Sequence, residues 1–214
     1  MASEARYDDP CGIARAMGVI GDRWAVLVIR ELMFGPRRFA QVRAGLQGIS
    51  PNVLSQRLRD LEKSGVVHRV EHASLGVSVY DLTDRGRAIE PVLIELGRWG
   101  SREQMTSEND LSFSAMMFAY KTVFDRSRAS DGTYGIRVGS DTATVTIAGE
   151  RIDVRRGLDE AADVVLDADM STLRDISFGR ESITSASRAG RLRVTGDHGL
   201  ATAFTRMFPV PRPR

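Results

Sequence analysis

The chain has 214 residues, 42% hydrophobic and 27% charged, an ordinary composition for one or two domains able to bury a core. It contains no apolar run of the roughly 18 residues that a spanning helix needs. Residues 1–10 are polar and acidic, unlike a secretory signal, so a cytoplasmic protein is expected. A single cysteine, Cys11, excludes an internal disulfide framework and a multi-cysteine zinc site.

The net charge of +2 provides no global basic field, but its distribution is uneven. Residues 37–69 carry seven basic side chains (Arg37, Arg38, Arg43, Arg57, Arg59, Lys63, Arg69) against two acidic ones, Asp60 and Glu62. Residues 101–214 balance 16 basic with 16 acidic. A local positive excess of this kind is the footprint expected where phosphates are met; the alternative is a solvated helical face.

A first helix is predicted over 13–20, with Ile13, Ala16, Met17 and Ile20 at helical spacing. The next, over 22–32, is apolar around most of its circumference and so central and buried; Gly35-Pro36 ends it. A short helix follows over 39–44, with Phe39, Val42 and Leu46 inward.

Residues 50–65 carry firm start and stop signals. Ser50 suits the N-cap, Pro51 the first helical position and Gly65 the end. Leu54, Leu58 and Leu61 form a narrow stripe; Asn52, Gln56, Arg59 and Lys63 lie opposite, with Ser55 on the flank. That face carries donors and acceptors of the kind that read base edges and grip phosphates. A short helix, a tight turn and this helix make a helix-turn-helix.

Residues 66–72 and 77–82 read as two strands turned by Ser74-Leu75-Gly76, a hairpin in the position of a wing. Thr83 then caps a single long helix through Trp99, bent near Pro91, whose stripe Ile89, Val92, Leu93, Leu96 and Trp99 is either core or a dimer seam. The polar stretch 102–110 is the joint between two halves, and the tail 209–214 is broken by prolines.

These residues resemble a known family. Cys11, Ile20-Gly21-Asp22-Arg23-Trp24, Arg38-Phe39, Gly48-Ile49-Ser50, Leu54, Leu58, Leu61-Glu62-Lys63-Ser64-Gly65, Tyr80-Asp81-Leu82-Thr83 with Gly86, and Trp99-Gly100 resemble the HxlR-type winged-helix regulators, relatives of the MarR regulators. The resemblance implies a homodimer on a pseudo-palindromic operator of double-stranded DNA, one recognition helix per half-site. Expected DNA contacts are Arg38, Ser50, Asn52, Ser55, Gln56, Arg59, Lys63 and Arg69. Cys11 precedes Gly12 where members of the family usually have proline. Some members sense oxidants through a cysteine here; the other reading is a small buried residue at a helix start.

In the second half, strands are expected over 133–138, 143–147 and 151–154. Ala162-Asp163-Val164-Val165-Leu166, Leu173-Arg174-Asp175-Ile176, Phe178-Gly179 and residues 190–197 resemble the sterol carrier protein-like fold. A last helix capped by Asp197 would turn Leu200, Ala203, Phe204 and Met207 inward. The resemblance implies an apolar pocket for a small-molecule effector, lined by Leu173, Ile176, Phe178, Leu192, Val194, Leu200, Phe204 and Met207; a plain packed core is the alternative.

His68 and His72 share a strand face but lack a third metal ligand nearby, so no metal or other cofactor is expected. Trp24 and Trp99 read as core residues. No phosphate-loop, zincin, nucleophile-elbow or dinucleotide pattern occurs, and no enzyme activity is expected. The expectation is an α+β protein: residues 1–105 a winged helix for DNA binding and dimerisation, residues 110–208 a smaller sterol carrier protein-like domain. It would be a DNA-binding transcription regulator, a repressor, working in the cytoplasm and on the nucleoid when DNA-bound. The rival is a lipid carrier or ligand-binding protein whose winged helix mediates protein contacts.

Overall fold

A computed structural model describes residues 7–72, 77–103, 107 and 109–209, His72 by its backbone alone. The expected turn at Ser74-Leu75-Gly76 lies outside the described residues. The chain divides into two compact units, Met1–Leu93 and Ile94–Arg214.

The first unit runs α1 (Gly12–Ile20), α2 (Ala25–Leu32), α3 (Phe39–Ala44), α4 (Pro51–Lys63), β1 (Val67–His72), β2 (Val77–Leu82) and α5 (Asp84–Arg87), with the start of α6 (Glu90–Gly100). As its all-round apolar pattern requires, α2 is central: Val28, Ile29 and Leu32 are buried together with Val42, Leu54, Leu58 and Leu61. β1 and β2 pair antiparallel from Val67 opposite Leu82 to His72 opposite Val77. Arg37 adds a single bridge to Tyr80, widening the hairpin toward α3.

Two expectations change here. The single long helix from Thr83 to Trp99 is two helices, α5 and α6, with a turn at Ala88 and Ile89. Thr83 caps only α5, accepting the Gly86 N–H at 3.1 Å. Pro91 has no N–H to return to Arg87, so the helical ladder breaks there and restarts with proline in the first turn of α6. The second change is a carboxylate in the core: Glu31 is fully buried on α2 and accepts from Arg30 Nη2 at 2.7 Å. Gly45, at the end of α3, gives it room, since a Cβ there would stand 2.2 Å from Glu31 Oε2.

The second unit continues through α7 (Phe113–Val123), β3 (Gly132–Val138), β4 (Asp141–Ala148), β5 (Arg151–Arg156), β6 (Val164–Ala168), α8 (Met170–Ser177), α9 (Ile183–Arg188), β7 (Leu192–Gly196) and α10 (His198–Arg206). Its sheet has the order β5-β4-β3-β6-β7. Only the central β3–β6 pair is parallel. One face is apolar: Tyr134 stands opposite Val145 and Val164, and Ile136 opposite Ala143 and Leu166. The other face carries Thr133, Arg137, Thr142, Thr146, Asp167 and Arg193. The apolar face and the helices enclose the core, with α10 against β3, β6 and β7. Asp169 caps α8 and Asp197 caps α10. The Thr172 backbone N–H, 2.7 Å from Asp169, is the chief cause holding that carboxyl below its usual range.

Candidate nucleic-acid interface

The recognition element is α4, and its ends are built by side-chain and backbone chemistry. Ser50 Oγ accepts the Val53 N–H at 3.3 Å, and Pro51 follows at a position that needs no donor. At the other end Gly65 takes φ +69°, the left-handed conformation that glycine adopts freely. There the Val66 N–H reaches Leu61 O and the Gly65 N–H reaches Glu62 O, closing a Schellman motif. A helix so delimited presents a fixed register.

That register puts Leu54, Leu58 and Leu61 into the core and leaves Asn52, Gln56, Arg59 and Lys63 exposed on the opposite face. Ser50 is exposed at the N-cap and Ser55 half-buried on the flank. Arg38 is exposed at the N-cap of α3. Arg69 is exposed on β1, its Nη2 donating to Ser78 Oγ across the hairpin at 2.8 Å. The four residues of α4 thus form one surface, while Arg38 and Arg69 extend it from separate elements.

Three residues outside the expected set, Asp22, Arg57 and Asp60, prove central to how that face is held. Arg57 pairs with Asp22 (Nη2 to Oδ2, 2.9 Å) and with Asp60 (Nη1 to Oδ2, 3.2 Å). Asp60 accepts from Gln56 Nε2 at 2.8 Å, and Gln56 Oε1 accepts from Arg59 Nη2 at 2.7 Å. Five side chains therefore form a continuous chain from the turn before α2 to the outer face of α4. The spacings 56–60, 57–60 and 56–59 were legible as helical neighbours; the partnership of Asp22 with Arg57 was not, because it joins separate elements.

Cys11 is exposed at the N-cap of α1, not buried, because α1 buries none of its residues within the chain. Trp99 is 66% exposed and not a core residue, since Leu93 alone of its α6 stripe is buried. Trp24 is half-buried, with the Arg23 guanidinium 5.3 Å from its ring centroid. His68 is exposed, and among the described residues no cluster suits a metal ion.

In the second unit Leu173, Ile176, Leu192, Phe204 and Met207 are buried, and Phe178, Val194 and Leu200 are half-buried. Aromatic rings pack densely around Phe204. Its centroid lies 5.2 Å from Tyr120, 4.8 Å from Tyr134 and 4.8 Å from Phe208. Tyr120 and Ser177 share a buried hydroxyl–hydroxyl bond of 2.8 Å. Burial pushes the Tyr120 phenol well above its ordinary range, with the Ser177 bond pulling the other way.

Comparison with known proteins agrees with this geometry. Residues 19–108 match the model of the HxlR-like helix-turn-helix. The HTH-type transcriptional regulator YvaP of Bacillus subtilis, itself described as uncharacterized, is 38% identical over 88 residues, covering 41% of this chain and 82% of that protein. The chain belongs to the HxlR-like helix-turn-helix family. A second relative, the uncharacterized HTH-type transcriptional regulator sll1512 of Synechocystis, is 40% identical over 92 residues, 42% of this chain and 68% of that one. Among solved structures, the reduced form of the transcriptional regulator YodB from B. subtilis is 30% identical over 46% of this chain and 98% of its own, with a TM-score of 0.40. Residues 120–209 match the SCP-2 sterol transfer family. The protein is thus a transcription regulator with a helix-turn-helix DNA-binding domain and a second, SCP2-type domain. Among the described residues no helix is long and apolar enough to cross a membrane.

Proposed function

We propose that this HxlR-like regulator acts as a homodimer that represses transcription by placing one α4 in each half-site of a pseudo-palindromic operator. The observation that carries the reading is the exposed face Asn52, Gln56, Arg59 and Lys63, backed by fully buried leucines. A rigid helix presenting amide, guanidinium and ammonium groups fits the major groove. Arg38, Ser50, Ser55 and Arg69 add phosphate and flanking contacts. A bound dimer represses by occupying promoter DNA, which needs no further surface. Its place of work is then the cytoplasm, on the nucleoid when DNA-bound.

The surface of α1 calls for a second copy. A helix of nine residues is marginal alone in water, yet α1 buries nothing within the chain and exposes Ile13 and Met17. Beside it an apolar groove of about 470 Å³ is lined by Ala16, Val19, Ile20, Ile89 and Val92. On α6, Val92, Leu96 and Trp99 form an exposed apolar stripe. An identical surface on a second copy covers such faces by two-fold symmetry.

Residues 1–105 serve DNA binding and dimerisation in this reading, and residues 110–208 receive an apolar effector. The match of 120–209 to a sterol transfer family supports the latter. A ligand preferring one dimer arrangement shifts the spacing of the two recognition helices by its differential affinity. Because Leu173, Ile176, Phe204 and Met207 are already packed, such a ligand enters by parting Phe178, Val194 and Leu200, which are not fully buried.

The test is selection of bound fragments from genomic DNA, followed by fluorescence anisotropy of the enriched duplex over a range of salt. Affinity falling linearly on logarithmic axes is the expected result. Enrichment of no duplex, or affinity indifferent to salt, contradicts the reading. Mass spectrometry of the purified protein tests the effector: a co-purified apolar molecule supports it, and failure of any apolar ligand to change operator affinity contradicts it.

A further inference from the structure

Gln56 and Arg59 carry equal claims to base reading if each is considered alone. Glutamine pairs with adenine through its amide, and arginine pairs with guanine O6 and N7 through its fork. The network between them separates the claims. The Gln56 amide is committed at both ends: its nitrogen donates to Asp60 and its oxygen accepts from Arg59. Asp60 is itself held by Arg57, and Arg57 by Asp22 in the turn before α2. The chain of contacts starts in the scaffold and ends at the Arg59 guanidinium, on the exposed face.

We propose that Arg59 is the side chain that selects a guanine in each half-site, and that Gln56, Asp60, Arg57 and Asp22 are positioning residues that hold its guanidinium. This rests on the DNA-binding reading of α4 above. An arginine side chain free in water must surrender much rotamer freedom to make a bidentate contact. One already oriented through a hydrogen-bonded chain surrenders less and meets the base edge with a set geometry. Gln56 keeps one N–H and one carbonyl lone pair, but its amide is oriented by Asp60 and Arg59, and its role in this arrangement is to set the guanidinium of Arg59.

The experiment uses the full chain and the duplex that the wild-type protein enriches from genomic DNA, with each base pair replaced in turn and affinities read by competition anisotropy. For the wild type, exchanging one G·C pair per half-site weakens binding by about 5- to 150-fold, the range of a bidentate base contact. Arg59→Ala abolishes discrimination at that pair and leaves the others intact. Gln56→Ala reduces discrimination at the same pair, and adds nothing in an Arg59→Ala background. Asp22→Ala, whose site is off the recognition helix, gives the same signature more weakly. All three positions are exposed; Asp22→Ala also removes the acceptor of the Trp24 N–H at 3.0 Å, but a merely structural loss would lower affinity for every duplex alike. The proposal is overturned if Gln56→Ala relaxes a different base pair in either background. It is equally overturned if Arg59→Ala weakens all duplexes uniformly, as loss of a phosphate contact would. Should the wild type enrich no duplex, the DNA-binding reading itself fails and takes this inference with it.

Discussion

Arg57 of the recognition helix is tied to Asp22 of the turn before α2, with Nη2 2.9 Å from Oδ2. The side chains are 20% and 39% exposed, so solvent screens the pair and its contribution to stability is at most about 1 kcal/mol. Its consequence is positional: it fixes one side of α4 to the element that α4's leucines pack against.

Ser50→Ala removes the acceptor for the Val53 N–H at the start of α4. The urea unfolding midpoint is expected to fall by the equivalent of about 1 kcal/mol. Operator affinity, measured under fully folded conditions, falls as well, because Asn52 lies in the turn that loosens.

Met17→Asp places a charge on the exposed face of α1. Far-UV circular dichroism should be unchanged, since Met17 is 41% exposed and no core is disturbed. Sedimentation should show a monomer where the wild type is a dimer, with operator binding weakened. An unchanged sedimentation coefficient contradicts the assignment of this face to the second copy.

Gly86→Ala forces a Cβ to within 2.2 Å of the Val66 carbonyl oxygen, a backbone atom that also accepts the Thr83 N–H. The clash involves two backbones and cannot be relieved by a rotamer change. Destabilisation of about 1–3 kcal/mol is expected in chemical denaturation.

Tyr120→Phe separates two effects. At neutral pH the Ser177 hydroxyl loses its buried partner, which costs about 1–3 kcal/mol. At alkaline pH the sign reverses. The phenol is raised above its ordinary value of 10.0 in the fold, so the unfolded chain releases its proton first. Wild-type stability from this group is whole below about pH 10 and is lost as pH rises beyond it. The variant's stability should therefore decline less steeply above pH 10, by about 1.4 kcal/mol per pH unit for one proton. Equal slopes for both proteins would contradict the burial argument.

Much of this fold was legible because its local signals agree. Ser50, Pro51 and Gly65 delimit α4, and the strands of the second unit alternate in register with their apolar face. What failed did so for tertiary reasons. The apolar stripe of α6 looked continuous with Thr83, and only the missing N–H of Pro91 divides it. Glu31 lies in an apolar helix where a carboxylate reads as surface; its place depends on Arg30 beside it and on the space left by Gly45. Trp99 reads as core by residue type, and a buried Cys11 is one of two readings at a helix start, yet the helices that carry them keep those faces exposed. The face of α4 was readable residue by residue, but its rooting in Asp22 depends on how α2 and α4 pack.

Hydroxyl-radical footprinting of the enriched operator by the full-length protein tests the central claim most directly. The account predicts two related protected patches, about 10 base pairs apart or a small multiple of that, which vanish together in a variant whose Asn52, Gln56, Arg59 and Lys63 are all alanine. Protection that survives the loss of those four side chains, or a single patch without two-fold symmetry, would contradict it.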